Sequence, residues 1–324
     1  MTDLSAAQPL TNFAALFPGQ GSQKIGMLAQ LAADHPLVEQ TFAQASDVLG
    51  YDSWALVQSG EQQQINLTER TQPLLLTASL AIWRLWLQRG GPMPTAVAGH
   101  SLGEWSALVA AGVVDFADAV NIVRQRGASM QRAVPVGEGA MAAIIGLEDD
   151  KIIAACADAQ QSEVVAAVNF NAPGQVVIAG SAAAVERAIA ACKEAGAKRA
   201  LPLPVSAPFH TALMRPAAQE LAELVEQTHF KAPKITVIHN VNADSQSDPA
   251  TIKQLMLEQI YQPVQWVGCV QALAARGITE AIECGPGAVL SGMVKRIDRT
   301  IHCATTDQPE SFAEALHNLE QSES

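Results

Sequence analysis

The sequence has little of what marks secreted, metal-binding, membrane or nucleic-acid-binding proteins. Its five cysteines are scattered and form no C-x-x-C pair, so we expect reduced cytoplasmic thiols, with neither a disulfide framework nor a metal site. Only 20 lysines and arginines stand against 32 acidic residues, and the net charge of −12 argues against nucleic acid as a partner. The apolar runs are too short to span a membrane and no charged-then-apolar leader opens the chain, so we expect no membrane association.

Hydrophobic residues, by contrast, make up 49% of the 324-residue chain, enough for a compact protein with a large core. Helix-like and strand-like segments alternate through most of the sequence, which is typical of α/β proteins. From Ala140 to Pro204 the order is β-α-β-β-α-β, the order of a ferredoxin-like unit. We therefore predict a large domain in two parts, residues 1–134 and 205–324, with a ferredoxin-like subdomain, residues 135–204, inserted between them.

One short segment has the pattern of an activated nucleophile. Residues 99–103 read Gly-His-Ser-Leu-Gly, and they follow an apolar strand and precede a predicted helix. This strand–turn–helix context is that of a nucleophile elbow, in which glycines permit the sharp turn that exposes the serine. Ser101 is therefore the candidate nucleophile. His100 is its chain neighbour, and neighbours on so tight a turn point apart, so the base must come from elsewhere.

Seven histidines compete for the role of base. His210 lies between the end of a predicted strand and the next helix, where the active sites of open α/β sheets gather. His239 ends an apolar strand, and a satisfied histidine at the edge of the core is the commoner outcome there. His302 lies late in the chain, where the histidine of an α/β-hydrolase falls, but no flexible loop surrounds it. Position alone therefore favours His210.

A second candidate is an arginine on the inward face of the helix predicted over residues 116–132. Arg126 has Ile122, Val123 and Met130 as neighbours at helical spacing, so it shares the apolar face. A buried arginine needs an anionic partner. That partner is either an internal glutamate or aspartate, or a carboxylate on the substrate that the guanidinium binds through two hydrogen bonds. The sequence leaves both alternatives open.

Seven segments, in order between about residue 13 and about residue 297, resemble the bacterial malonyl-CoA:acyl carrier protein transacylases. The segments are residues 17–23 (FPGQGSQ), 99–104 (GHSLGE), 126–131 (RGASMQ), 171–175 (NAPGQ), 208–210 (PFH), 263–266 (PVQW) and 283–290 (ECGPGAVL). One of these motifs alone is modest evidence for the resemblance, whereas all seven in the same order are specific to this family. The resemblance implies an α/β-hydrolase-like large domain with an inserted ferredoxin-like subdomain, in agreement with the pattern of elements.

The resemblance also implies roles for individual residues. Ser101 and His210 would form a Ser–His dyad, with the imidazole oriented by the main-chain carbonyl of Gln265. The N–H groups of Gln20 and Leu102 would hold the oxyanion. The substrate pocket would be lined by Arg126, which pairs with the malonyl carboxylate, and by His100, Asn169 and Gln175. Phe209, beside the base, should narrow this pocket.

The implied reaction moves a malonyl group from malonyl-CoA to the phosphopantetheine thiol of acyl carrier protein, by a ping-pong route through a malonyl-serine ester, in fatty-acid biosynthesis. The thioester is activated enough that we expect no metal or redox cofactor. Three alternatives stay open at this point: an acyl-thioester hydrolase on the same scaffold, a polyketide-type acyltransferase, and a non-catalytic subunit that docks carrier proteins. The last is disfavoured because Ser101, His210 and Arg126 are all present.

Acyl carrier proteins are typically acidic, as this chain is, so docking needs a local positive patch. Lys295, Arg296 and Arg299 follow the Gly-Pro-Gly segment, and Lys198 and Arg199 border the predicted insertion. These five residues are the candidate docking surface. For any one of them, a solvated charged face is an equally good interpretation.

Overall fold

The computed structural model describes residues 10–205 and 207–321. Its strands are β1 (Leu10–Phe17), β2 (Pro94–Gly99), β3 (Gly139–Ile145), β4 (Val165–Ala172), β5 (Gln175–Ser181), β6 (Arg199–Pro202), β7 (Thr236–Ile238), β8 (Glu280–Glu283) and β9 (His302–Thr305). Its α-helices are α1 (Ala29–Asp34), α2 (Leu37–Leu49), α3 (Ser53–Ser59), α4 (Gln62–Ile65), α5 (Thr68–Gln88), α6 (Leu102–Ala110), α7 (Phe116–Arg132), α8 (Asp149–Gln160), α9 (Ala182–Glu194), α10 (Arg215–Gln227), α11 (Pro249–Glu258), α12 (Trp266–Ala275), α13 (Val289–Ile297) and α14 (Pro309–Gln321). A short 3-10 helix, Ala212–Met214, precedes α10. Among the described residues, no helix is both long enough and apolar enough to cross a membrane.

The larger sheet is parallel throughout and has the strand order β7-β2-β1-β8-β9. Successive residues of β1 face two different apolar cores: Phe13, Ala15 and Phe17 belong to one, Ala14 and Leu16 to the other. Burial on both faces is typical of a parallel sheet, because helices in the crossover connections cover its two faces. The loops that follow neighbouring strands therefore meet at the carboxyl edge of the sheet, where ligands of open α/β sheets bind.

The second sheet is antiparallel, with the order β4-β5-β3-β6, and it confirms the predicted β-α-β-β-α-β succession. One face packs against α8 and α9 around a separate apolar core. The opposite face presents Met141, Val168 and Val177, and Phe209 from the larger unit packs against these residues. The four strands lie within residues 139–202, and the predicted domain boundaries at 135 and 204 stay predictions. This second face supplies one wall of the candidate site.

The turn between β2 and α6 is held by extremely close backbone packing. A Cβ atom on Gly99 would lie 2.0 Å from the backbone of Gly103, and one on Gly103 would lie 2.0 Å from the carbonyl oxygen of Phe17. No side chain fits at either position, because rigid backbone would have to move. Ser101 between them has φ 51° and ψ −109°, a conformation that L-residues rarely adopt. The predicted strand–turn–helix segment is thus present, and strain at the serine is part of it.

Candidate active site

The predicted nucleophile and base are in direct contact. Ser101 Oγ lies 2.8 Å from His210 Nε2. On the other side of the ring, His210 Nδ1 lies 2.7 Å from the carbonyl oxygen of Gln259. A carbonyl only accepts hydrogen bonds, so Nδ1 carries the proton and Nε2 is left as the acceptor for the serine hydroxyl. This is the arrangement that a general base needs.

The prediction that the Gln265 carbonyl orients the base is wrong. The Gln265 carbonyl accepts the N–H of Cys269 within the first turn of α12, and His210 Nδ1 contacts the Gln259 carbonyl instead. Gln259 directly follows α11, and the last carbonyls of a helix have no partner inside the helix. The end of α11 therefore offers an acceptor to His210, and the start of α12 does not.

His210 stays neutral in this environment. Its side chain is 4% exposed, and burial, together with the nearby positive charge of Arg126, lowers its pKa to about 3. A base must be unprotonated to accept the serine proton, and the Nε2 of His210 is unprotonated at any pH near neutrality. Burial likewise lowers the pKa of His100.

Arg126 is buried beside the nucleophile, as the helical spacing predicted. Its Nη1 donates to Gln72 Oε1 at 2.9 Å, and its Nη2 donates to Gln259 Oε1 at 2.8 Å and to Ser101 Oγ at 3.3 Å. Its Nε has no hydrogen-bond partner among residues 10–205 and 207–321. Burial lowers the pKa of Arg126 to about 10, so the guanidinium is charged at neutral pH.

The first of the two alternatives for Arg126, an internal salt bridge, is wrong. Within the described part of the chain, the ion pairs with oxygen and nitrogen atoms no more than 4.0 Å apart do not include Arg126. The acceptors around the guanidinium are amides and a hydroxyl, all of them neutral. A buried positive charge with neutral partners favours an anionic ligand.

An open cavity joins these groups. Its walls come from the antiparallel sheet and from loops and helices around the larger sheet. They consist of Gln20, Gln72, His100, Ser101, Leu102, Arg126, Met130, Met141, Asn169, Val177, Leu203, Val205, Phe209 and His210. Most predicted pocket residues are therefore in place. Asn169 carries a buried Oδ1 without a hydrogen-bond partner among the described residues, which leaves an acceptor for a ligand at this wall.

Gln175 was predicted to line the pocket, and this prediction is wrong. Side chains at i and i+2 of a strand share a face, and Val177 is the residue of β5 that reaches the cavity. Gln175 is the first residue of β5, next to the hairpin turn, and lies too far from the cavity to line it. Its Oε1 accepts a hydrogen bond from Arg296 at the protein surface.

The other candidate histidines have different roles. His100 Nε2 lies 2.7 Å from Asn171 Oδ1, and the ring packs against Trp266 with the centroids 5.6 Å apart. His239 is fully buried at the edge of the core, as the sequence favoured, with Nδ1 2.7 Å from Glu104 Oε1, and its Nε2 has no hydrogen-bond partner among the described residues. His302 is largely exposed and pairs with Glu280. Only His210 among these contacts Ser101.

The predicted oxyanion donors lie at the cavity, and their role stays a prediction. Leu102 is the first residue of α6, and the first N–H groups of a helix have no acceptor inside it. Gln20 belongs to the loop after β1, at the same edge of the sheet. The helix N-terminus also contributes partial positive charge where an oxyanion would form.

Two buried polar residues that the sequence reasoning missed complete the site. Asn240 accepts the Ser101 N–H at 2.7 Å and donates to the Gly99 carbonyl at 2.7 Å, so it fixes both sides of the turn. Gln259 links the base to Arg126. Asn240 follows the candidate His239, which was the only available signal; nothing in the sequence around Gln259 marks it.

The five candidate docking residues are all exposed. Lys295, Arg296 and Arg299 lie on or just after α13, and Lys198 and Arg199 lie at the start of β6. Arg296 also donates to the Pro173 carbonyl at 3.4 Å, which ties α13 to the turn between β4 and β5. Their role in docking stays a prediction. In the described part of the chain, no group of three His, Cys, Asp or Glu residues could hold a metal ion.

Comparison with known proteins gives the same class. The Acyl transferase domain family matches residues 15–312. The malonyl CoA-acyl carrier protein transacylase of Salmonella typhimurium is 55% identical over 307 residues, which is 95% of this chain and 99% of that protein. This chain therefore belongs to the family of malonyl CoA-acyl carrier protein transacylases.

Solved structures agree with this family. The acyl carrier protein S-malonyltransferase of Vibrio cholerae is 57% identical with a TM-score of 0.92, and the match covers 94% of this chain and 99% of that one. A malonyl-transacylase in complex with a type II PKS acyl-carrier protein is 53% identical with a TM-score of 0.94, and the match covers 95% and 99%.

The low pKa of His210 predicts how acylation of Ser101 depends on pH. Because the imidazole protonates only near its pKa of about 3, the acylation rate should stay nearly constant from about pH 8 to about pH 5. The measurement is the burst rate with p-nitrophenyl acetate, corrected with the Ser101→Ala variant. A rate that halves near pH 6.5, about the ordinary value for histidine, would contradict the neutral environment of the base.

Proposed function

We propose that this protein transfers the malonyl group of malonyl-CoA to the phosphopantetheine thiol of acyl carrier protein, in fatty-acid biosynthesis. The observation that carries the proposal is a charged, buried Arg126 with neutral partners, whose Nη2 lies 3.3 Å from the nucleophilic oxygen of Ser101. A malonyl group has a carboxylate a short distance from its thioester carbon. Arg126 therefore suits an acyl group that carries a negative charge at its far end.

The first half-reaction follows from the dyad. Ser101 Oγ attacks the thioester carbon while His210 Nε2 accepts the hydroxyl proton. The negative charge that develops on the carbonyl oxygen is held by the N–H groups of Gln20 and Leu102. As the tetrahedral intermediate collapses, the carbon–sulfur bond breaks, His210 returns the proton to the thiolate, and CoA leaves malonyl-Ser101 behind.

The second half-reaction repeats these steps with the other thiol. The phosphopantetheine thiol of the carrier protein enters the emptied cavity and His210 accepts its proton. The thiolate attacks the ester carbon, and Ser101 leaves with the proton returned by His210. Each step balances without a metal or redox cofactor, because the thioester is already activated, so we propose that none is used.

We also propose an α/β-hydrolase-like large domain, a ferredoxin-like subdomain and a cytoplasmic location. The turn at Ser101 after a central parallel strand supports an α/β-hydrolase-like large domain, and the order of β3 to β6 supports a ferredoxin-like subdomain. The five cysteines are free, and four of them are buried, which supports a cytoplasmic location.

One alternative has specific support. A similar structure contains a malonyl-transacylase with a type II PKS acyl-carrier protein, so loading of a polyketide carrier is the second candidate function. The site chemistry would be identical, because the two carriers differ outside the thiol arm. A hydrolase would differ only in that water reacts with the acyl-serine. The intact Ser101–His210 contact argues against a non-catalytic docking subunit.

Intact-mass spectrometry tests the proposed function directly. On mixing with malonyl-CoA, the protein should gain the mass of one malonyl group and lose it only when carrier protein with its phosphopantetheine arm is added. Ser101→Ala should gain none, and His210→Ala should acylate roughly 10²–10⁴-fold more slowly, the usual range for loss of a general base. His302→Ala is the matched control. Loss of the malonyl group to water before carrier arrives would identify a hydrolase.

Arg126→Ala should separate charged from neutral acyl groups. Malonyl transfer should fall by roughly 10²-fold or more, because a buried charge-assisted pair with the substrate is lost. Acetyl transfer should hold or rise, because a neutral acyl group no longer leaves a buried guanidinium without a counter-charge. The measurement is kcat/KM for malonyl-CoA and acetyl-CoA in both proteins. An equal fall for the two substrates would mean that Arg126 only supports the structure.

The positive residues on α13 should act in the second half-reaction alone. Reversing Lys295 and Arg296 to glutamate should lower kcat/KM for the carrier protein by roughly 10-fold at low salt, because electrostatic steering is lost. Acylation by malonyl-CoA should be unchanged. The variant that reverses Lys151 and Lys231, which are exposed elsewhere, is the control for net charge. Unchanged carrier kinetics at low salt would remove these residues from the docking surface.

A further inference from the structure

The proposed mechanism does not use Glu104, although its carboxylate is completely buried behind the site. Its Oε1 lies 2.7 Å from His239 Nδ1. Its Oε2 accepts the Asn240 N–H at 3.1 Å and the Gln259 Nε2 at 2.6 Å. Asn240 holds the turn at Ser101, and Gln259 holds the base. The carboxylate therefore joins the two segments on which the nucleophile and the base depend.

The Gln259 amide lies between a hydrogen-bond acceptor, the Glu104 carboxylate, and a hydrogen-bond donor, the Arg126 guanidinium. Its Nε2 donates to Glu104 Oε2 and to the Ser101 carbonyl at 2.9 Å, and its Oε1 accepts from Arg126 Nη2 at 2.8 Å. An ionised carboxylate only accepts hydrogen bonds and a guanidinium only donates them. The orientation of the amide is therefore dictated by its neighbours. If the amide turned over, it would set donor against donor at Arg126 and acceptor against acceptor at Glu104.

We propose that Glu104 is a positioning residue that determines acyl specificity: by orienting the Gln259 amide, it holds Arg126 towards the acyl carboxylate while its own charge stays one amide away. This inference rests on the proposed function and deepens it.

The separation between Glu104 and Arg126 is the important feature. A carboxylate in direct contact would occupy the fork of the guanidinium and neutralise it, so the arginine would have nothing left to offer a substrate. With Gln259 in between, Glu104 still favours the charged form of Arg126 through space, against the effect of burial. The positive charge is kept in the site, and the Nε donor has no protein partner in the described residues.

The first variant removes the charge and keeps the shape. In Glu104→Gln, the new amide has one oxygen where the carboxylate had two, and the negative charge behind Gln259 is lost. If its NH₂ takes the Oε2 position, it meets the Asn240 N–H and the Gln259 Nε2, and one buried donor near Arg126 is left unpaired. If its NH₂ takes the Oε1 position, His239 must accept through Nδ1 in its other tautomer, and its Nε2–H is then a buried donor without a partner among the described residues. The ratio of kcat/KM for malonyl-CoA to that for acetyl-CoA should fall roughly 10- to 100-fold, the penalty for one unpaired buried polar group. Acetyl transfer should change much less.

The second variant exchanges the two groups. With Glu104→Gln and Gln259→Glu together, the amide at 104 can donate to the carboxylate at 259, and that carboxylate can accept from Arg126. Thermal stability and acetyl transfer should recover only in part, because the hydrogen bonds between 104 and 259 and between Arg126 and 259 are re-formed, whereas the carboxylate at 259 now faces the Ser101 carbonyl and the amide at 104 faces the Asn240 N–H. Malonyl transfer should not recover, because Arg126 now has a carboxylate in direct contact. Recovery of malonyl transfer would overturn the proposal.

Two further variants keep the test decisive. Gln259→Met removes the amide, retains the main-chain carbonyl that orients His210, and should lower the malonyl-to-acetyl ratio even if Glu104→Gln does not fold. Glu283→Gln is the control for a buried carboxylate, because Glu283 is also fully buried and accepts from the Leu290 and Ser291 N–H groups. It should lower stability without changing the ratio.

The outcomes distinguish a failure of the proposed role of Glu104 from a failure of the proposed malonyl transfer. If the wild type itself does not transfer malonyl, the proposed function fails. If the wild type transfers malonyl, and Glu104→Gln and Gln259→Met both keep the wild-type ratio, the function stands and the role of Glu104 is refuted. A fall in the ratio that Glu283→Gln reproduces would also refute it, because the effect would then be general to buried carboxylates.

Discussion

The buried positive charge of Arg126 is the constraint around which the site is arranged. A guanidinium removed from water is expensive unless its donors are satisfied. Here Gln72 on α5 and Gln259 after α11 satisfy two of them with neutral acceptors, and Ser101 supplies a third contact. Elements far apart in the sequence must therefore pack correctly for the charge to be tolerated.

The parallel sheet explains how these elements meet. β1, β2 and β7 are neighbours, so Gln20, Ser101 and Asn240, which follow them in the chain, come together at one edge. The antiparallel sheet closes the cavity from the opposite side with Met141 and Val177. The catalytic oxygen thus lies in the turn after a strand of the parallel sheet, and the opposite wall of the cavity comes from the antiparallel sheet. Backbone hydrogen bonds between Val264 and β4 hold the two together.

The sequence predicted those parts of the site that depend on local pattern. Ser101 was identified by glycines that the backbone contacts require, and Arg126 by the apolar spacing of one helix. The orienting carbonyl was placed six residues too late, at Gln265 instead of Gln259, because it depends on where α11 ends. Gln175 was misplaced because its distance from the cavity depends on how β5 lies in the folded protein, which a local pattern does not show. Helix ends and strand ends are what a local pattern defines least well.

The same electrostatics connect substrate and base. The positive charge of Arg126 is the second cause, after burial, of the low pKa of His210. Under the proposed function, an acyl carboxylate bound at Arg126 cancels part of that charge, so the imidazole accepts a proton more readily when the correct substrate is present. A neutral acyl group gives no such compensation. Recognition of the carboxylate and activation of Ser101 therefore share one interaction, and a site without a third acid can still favour its proper substrate in the chemical step.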